Sequence, residues 1–600
     1  MSKEISTLLK REDVNIEDTW NLKDLFESDQ VWRDKFNEMK DIIFKLETFE
    51  GTLGEGPKTL HKCLRFYNEL AYEIERLYVY ANMKLHQDGA NSHYQGLADM
   101  SENLVTEFST ISSFIDSEII EIEEDKLKSF IEEFDELKLY QHYIQNLLDN
   151  KDHILDSKME GVLAQVGEIA QAPEAIFAMF NNADISFPII EDEDNNKVQI
   201  THGRFIAFLE SPDPRVRRDA FKGLYSTYEA NKNTLAATFS ANIKQYGFFA
   251  KMRNFSTPIE AALSPRHIPL SVYDNLITTV HDNLTYMHDY VSLRKDLLGL
   301  DELHMYDLYT PIVKDIDMKI SYDEAWDTII KALEPMGDEY ISLLKEGRYN
   351  RWIDIYENKG KRSGAYSWGA YGTHPYVLLN HTNNINSMFT LAHEMGHAIH
   401  THYSNTNQPY VYAGYTIFVA EVASTVNEAL LINYLLDNVE DKDEKSYLIN
   451  YFMEQFRGTI YRQTMFAEFE RLMHQKQQEG IALTAETISD EYYKLVKKYH
   501  GDDLIVDKEI SMEWARIPHF YTPFYVYQYA TGFSAAIAIS QRILEEGNDA
   551  VEEYKEFLKG GSSKHPLDLL KIAGVDMSSP EPISKALDVF KGLVEELGQI

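Results

Sequence analysis

Between Thr390 and His400 the chain reads TLAHEMGHAIH. No other stretch limits the accessible folds as sharply. A helix of small and apolar residues carrying two imidazoles and a carboxylate must find partners for them, because each buried polar group left unsatisfied costs ~1–3 kcal/mol. Asn383, Asn384 and Asn386 offer capping side chains ahead of the stretch, and Asn405 and Pro409 lie beyond it. The pattern therefore predicts a helix from about Asn386 to Tyr403. At ~100° per residue, His393 and His397 fall on one face. Two imidazoles one turn apart can hold one tetrahedral ion, and zinc favours such nitrogen ligands supplemented by a carboxylate. Glu394, about a quarter turn round the helix, then approaches the water on that ion, which is the division of labour in H-E-x-x-H.

The third ligand has to come from elsewhere. An H-E-x-x-H-x-x-G-x-x-H site needs glycine at position 400 and histidine at 403, where this chain has His400 and Tyr403. His400 lies near the ligand face, but three successive turns cannot converge on one ion without bending the helix, so it is read as a neighbour. A carboxylate on a second helix is the remaining source. YTIFVAEVASTVNEALLINYLL supplies Glu421 and Glu428, seven residues apart on nearly one face of an otherwise apolar helix. Spacing does not choose between them; whichever does not ligate would accept a hydrogen bond from a ligand imidazole.

The rest of the chain reads as mainly helical. From Asp29 to about Asn181 helix-period apolar patterns dominate, ISFPIIEDEDNNKVQIT suggests a hairpin, and helical patterns resume after it. This places a boundary near residue 200, with an N-terminal helical region at 1–200 and a catalytic region at 201–600. SGAYSWGAYGTHPYVLLN, from Ser363 to Asn380, reads as strands and a turn leading into the histidine stretch. Helical patterns are expected over Tyr415–Asn438, Glu444–Gln478 and Thr484–His500, and KGGSSKHP, from Lys559 to Pro566, reads as a flexible loop.

Charge narrows the partners. Asp and Glu outnumber Lys and Arg by 97 to 58, a formal charge of −39 that repels a phosphate backbone, so nucleic acid is excluded as a partner. The single cysteine, Cys63, suits a reducing compartment. The N-terminal stretch lacks the apolar core of a signal peptide, and no later stretch reaches the ~18–20 apolar residues of a membrane span. A cytoplasmic protein without membrane contact is expected; the oligomeric state is not readable.

TLAHEMGHAIH, FVAEVASTVNE, GAYSWGAYGTHPYVLLN and IPHFYTPFYVYQYATG together make the chain resemble the M3 family of zinc metallopeptidases, and within it the oligoendopeptidase F group. IEDTWNLKDLFESDQVW near the start and LKIAGVDMSSPEPISKAL near the end extend the resemblance over essentially the whole chain. It implies a large helical bowl or clam with a small β region beside the zinc helix, one Zn2+ per chain, and a deep cleft that the N-terminal region partly roofs. It also implies that Glu421, in the E-x-x-S part of the second helix, completes the ligand set with His393 and His397. The implied activity is hydrolysis of internal bonds in short unfolded peptides.

The mechanism expected for such a site has Glu394 taking a proton from the attacking water and passing it to the leaving amine. Neutral donors should meet the developing oxyanion. In IPHFYTPFYVYQYATG, Thr522 and Pro523 read as N-cap and first helical position, which puts His519 in the entering loop and Tyr525 and Tyr529 on one helix face. In the family a histidine and tyrosines of this region face the zinc, which points to His519, Tyr525 and Tyr529; which tyrosine takes the oxyanion stays open. Tyr527, on the opposite face, reads as core. A strand in GAYSWGAYGTHPYVLLN could pair with an extended peptide, with Gly369 and Gly372 allowing close approach and His374 as a donor, although an internal strand explains the pattern nearly as well. Two rivals remain: a metallocarboxypeptidase on a related helical scaffold, and a non-catalytic zinc-dependent peptide-binding protein. The second has no use for Glu394 beside an open coordination position.

Overall fold

The computed structural model describes residues 8–313 and 318–600; the first seven residues of the stretch read for a leader lie outside them. Packing divides the chain into two units of interleaved segments. Met1–Lys151, Asp317–Tyr434 and Ile539–Gly574 form the first, and Asp152–Ile316, Leu435–Ala538 and Val575–Ile600 the second. The hairpin near residue 200 forms, with Ile189–Glu191 antiparallel to Lys197–Gln199, but it sits inside the second unit. A change in local pattern therefore does not coincide with a change of packing unit.

The first unit begins with long amphipathic helices. α1 (Pro57–Gln87) opens with a proline at its first position and buries Leu60, Leu64, Ile74, Leu77 and Ala81. α2 (Ser92–Ser112) returns Leu97, Leu104 and Phe108 to the same core. Cys63 lies within this core, where burial pushes its thiol up to about 12 and leaves it inert.

A small sheet follows, in the order β1 (Ile353–Asp354), β3 (Tyr376–Leu378), β2 (Tyr366–Trp368). β3 is central, parallel to β1 and antiparallel to β2, with Tyr366 opposite Leu378 and Trp368 opposite Tyr376. Tyr376, Val377 and Leu378 are fully buried, as a continuous apolar run in a central strand should be. The parallel β1 strand escaped the sequence reading because two residues carry no periodicity. Asp354 is held by an ion pair with Lys361 at 2.7 Å and by Arg11. The chain then enters α3 (Ile385–Asn407), capped by Asn384, whose Oδ1 accepts the Ser387 amide at 2.9 Å. α4 (Ile417–Asn438) follows. The Lys559–Pro566 loop is tied down, correcting the flexible reading: the Ser562 backbone amide donates to the Tyr412 carbonyl and the Gln408 side-chain Nε2 to that of Lys559.

The second unit is also helical. Its expected Glu444–Gln478 helix is broken into Lys442–Phe456, a π turn at Arg457–Tyr461, and α5 (Arg462–Gln478). Ala485–His500 begins at the cap Thr484. Leu303–His304 pairs in parallel with Leu504–Ile505. No helix among the described residues is long and apolar enough to cross a membrane.

Candidate active site

α3 and α4 cross at Gly396. A Cβ there would stand 2.6 Å from the Ser424 Cα and 2.7 Å from the Ala423 carbonyl oxygen, so only glycine lets the two backbones touch. The crossing is pinned by Asn427, whose Nδ2 donates to the Ala392 carbonyl at 3.1 Å while its Oδ1 accepts the Tyr340 hydroxyl at 2.8 Å, all buried. Gly396 and Asn427 were missed in the sequence; an asparagine beside two glutamates in a largely apolar helix was the available signal.

This contact brings Glu421 against the histidine face. Its Oε2 lies 3.4 Å from His393 Nε2 and 3.6 Å from His397 Nε2, and the three ligand atoms fall within 4.8 Å of one another. Hydrogen bonds from His393 and His397 hold the Glu421 carboxyl well below the usual carboxylate range. Glu428, seven residues further along α4, accepts a hydrogen bond from His393 Nδ1–H at 2.9 Å. That bond fixes the tautomer and turns Nε2 toward Glu421. Burial opposes a charge on His393, but the bonds to Glu421 and Glu428 outweigh it and raise its pKa well above the usual value. Two imidazole nitrogens and one carboxylate oxygen, with the far side of one ring already bonded to a second carboxylate, fit a zinc ion with an open fourth position.

Glu394 is 7% exposed, and burial raises its pKa above the ordinary glutamate value. A carboxylate so tuned is suited to hold a proton transiently. His400 is not among the three converging residues. It is buried, stacks on Tyr415 at 3.8 Å and 8°, and burial pushes its pKa down to about 3.

The strand region is more internal than its glycines suggest. Gly372, at φ +81°, faces the Tyr72 hydroxyl, 2.8 Å from where a Cβ would stand, and Gly369 lies against Pro375. His374 stacks on Trp352 at 5.0 Å, with Nε2 3.0 Å from Asp24 and Nδ1 2.8 Å from the Pro375 carbonyl. These three residues set the shape of the β2–β3 turn. Glu75 of α1 braces the same turn: burial pushes it up to about 7 despite hydrogen bonds from the Tyr410 hydroxyl and the Tyr371 amide.

His519, Tyr525 and Tyr529 belong to the second unit, where they form one aromatic cluster. His519 stacks parallel to Tyr525 at 6.3 Å, and Tyr529 meets both rings edge-on at 6.0 and 5.4 Å. Burial lowers the His519 pKa, which keeps its imidazole neutral. The local backbone differs from expectation. Pro518–Tyr521 is a 3-10 turn and the helix starts at Tyr527, so Thr522 and Pro523 do not open it and Tyr525 precedes it. The reason is Phe524, at φ +59°, whose amide donates to Glu470 Oε1 of α5 at 3.3 Å. Glu470 is buried and its pKa is raised well above the ordinary value by desolvation. Tyr527 packs into the core against Tyr273 at 5.1 Å.

The chain as a whole is similar to known proteins. The model of peptidase family M3 matches residues 207–589, and that of oligopeptidase F matches residues 118–187. Oligopeptidase PepF of Bacillus subtilis is 51% identical over 598 residues, all of this chain and 89% of the relative. An oligoendopeptidase F homolog of Borreliella burgdorferi is 38% identical over 99% of this chain and 100% of its own. Among solved structures, a peptidase from Chlamydophila abortus superposes with a TM-score of 0.94 at 31% identity, covering 99% of this chain and 100% of that one. Oligoendopeptidase-F from Enterococcus faecium does so at 0.73 and 39% identity, covering 95% and 99%.

Proposed function

The chain belongs to peptidase family M3 and is a metallo-oligopeptidase, and on that premise we propose that it cleaves internal bonds of short unfolded peptides with one zinc ion held by His393, His397 and Glu421. The observation that carries the assignment is the convergence of those three ligand atoms at the Gly396 crossing, with Glu428 orienting one of them. When bound, zinc supplies Lewis acidity that lowers the pKa of water from 15.7 to about 7 and polarises the scissile carbonyl. Glu394 receives the proton of the attacking water on a carboxylate oxygen and delivers it to the leaving amine; its burial favours that exchange. His519, as a neutral imidazole, and Tyr525 and Tyr529, as phenols, donate to the tetrahedral oxyanion.

Peptide backbone pairs with β2, which is an edge strand and therefore has a side not taken by β3. Gly369, Gly372 and His374 hold the turn that sets this strand. A cytosolic location is supported by the single, buried cysteine. The test is turnover of a peptide blocked at both ends by chelator-treated protein, before and after zinc is restored, with fragments identified by mass. Internal cleavage that returns with zinc is expected; release of C-terminal residues only, from unblocked peptides, would establish the carboxypeptidase alternative instead.

A further inference from the structure

The second unit gathers guanidinium groups for which the peptidase chemistry has no use. Arg457, Arg462 and Arg516 line one cavity of about 30 Å³ together with Tyr309, His500 and the carboxylate of Glu513. Their carboxylate partners are few. Glu513 accepts from Arg462 at 2.7 Å, from Arg516 at 2.7 Å and from the Tyr492 hydroxyl at 2.6 Å. Glu454 accepts from Arg457 Nε at 2.9 Å, from Arg294 at 3.3 Å and from the Tyr290 hydroxyl. The adjoining Asp307 is paired with Arg217 at 2.8 Å. Four guanidiniums thus face two carboxylates. His500 adds no charge: its Nδ1–H donates to the Val496 carbonyl at 2.9 Å, and burial pushes its pKa down to about 4.

Positive charge in excess within a poorly solvated cluster is costly unless an anion answers it. Tyr309 registers the imbalance. Its ring lies 4.8 Å beneath the Arg457 guanidinium, and although burial raises its pKa, Arg462 and Arg457 reverse the shift. The room available selects the size of the missing charge. About 30 Å³ accommodates roughly one or two waters or a single halide.

We propose that the cavity bounded by Arg457, Arg462, Arg516 and Tyr309 is a binding site for a chloride-sized monovalent anion. The anion accepts hydrogen bonds from the guanidinium N–H groups and the Tyr309 hydroxyl, and neutralises part of the excess charge. Arg516 ends the Lys508–Arg516 segment that runs into Pro518–Tyr521, so occupancy also braces the turn carrying His519. The site stands apart from the metal-ligand assignment and does not depend on it.

The test uses the full chain at constant ionic strength with chloride exchanged for gluconate. A saturable rise of about 1–4 °C in thermal midpoint is expected in chloride. Arg516→Gln, which leaves Glu513 bonded to Arg462 and Tyr492, and Tyr309→Phe, which removes one hydroxyl, should each weaken the halide dependence about tenfold. Crystals soaked in bromide should show an anomalous peak between Arg457 and Arg516. Equal midpoints in chloride and gluconate, or no bromide at this place, would overturn the proposal. So would a phenolate absorption band that persists at neutral pH in saturating chloride and disappears in Tyr309→Phe, because the tyrosine would then be the counter-charge.

Discussion

The proposed metal-ligand set and the aromatic cluster are built by opposite means. His393, His397 and Glu421 ride on two long helices whose backbones touch at Gly396, and no loop intervenes between the ligands and the crossing. His519 and Tyr525 hang from a 3-10 turn and a bend, fixed by a residue at positive φ whose amide is held by one buried carboxyl group. The first arrangement draws its accuracy from close packing, which tolerates no added atom. The second draws it from a polar anchor on a strained backbone, which tolerates changes of shape but not loss of the acceptor. Zinc retention should therefore follow packing at the crossing, while the rate of the chemical step should also follow the anchor.

The contrast is open to direct attack. The largest effect is expected from Glu394→Gln, which touches neither construction: metal content should stay at one zinc per chain while kcat falls about 10³-fold. Normal turnover by this variant would remove Glu394 from the mechanism. Gly396→Ala forces a methyl into the Ser424 backbone, so zinc affinity in a chelator competition should drop at least about tenfold and urea unfolding should show a loss of roughly 1–3 kcal/mol. Unchanged affinity would mean that the crossing does not set the ligand geometry.

Glu470→Ala should lower kcat about tenfold with zinc content and KM little altered. Glu470→Gln should recover most of the rate, because an amide oxygen can still accept the Phe524 amide. Equal losses in both variants would make charge, rather than an acceptor, the anchor.

The smallest effect concerns Glu75. Its folded pKa, about 7, lies above the ordinary 4.5, so the folded state binds the proton more tightly. Stability should decline as pH rises from 4.5 to about 7 and level off above it. Glu75→Gln should flatten this slope and stabilise the protein by roughly 1–3 kcal/mol above neutrality, measured by urea unfolding across pH. A slope that survives the substitution would assign it to another group.

Legibility in the sequence followed the same divide. His393, Glu394 and His397 are related by helix period alone, so five residues suffice to place them. Glu421 and Glu428 share a face for the same reason, and period could not rank them. Their ranking depends on where α4 meets α3, which is a tertiary fact carried by Gly396 and Ser424. The start of the helix before Tyr529 was misread at Thr522 and Pro523 because the stop signal, Glu470, is 54 residues upstream. His374 looked available beside its glycines, yet its Nε2 partner Asp24 is 350 residues away. The break at Arg457–Tyr461 left no proline or glycine pair to announce it; a π turn adds a residue without interrupting the apolar pattern.

The six alternating segments of the two packing units bear on how the molecule is made. The first unit lacks its Ile539–Gly574 segment until residue 574 has been made, and the second its Val575–Ile600 segment until residue 600 has. Neither can close its core early on the ribosome, and a growing chain must keep the apolar faces that pack against Glu581–Leu597 exposed until that helix emerges. The contacts that complete each unit span most of the sequence, a topology that folds slowly for its size. Such a chain should lean on chaperones during synthesis more heavily than its stability in the finished state would suggest.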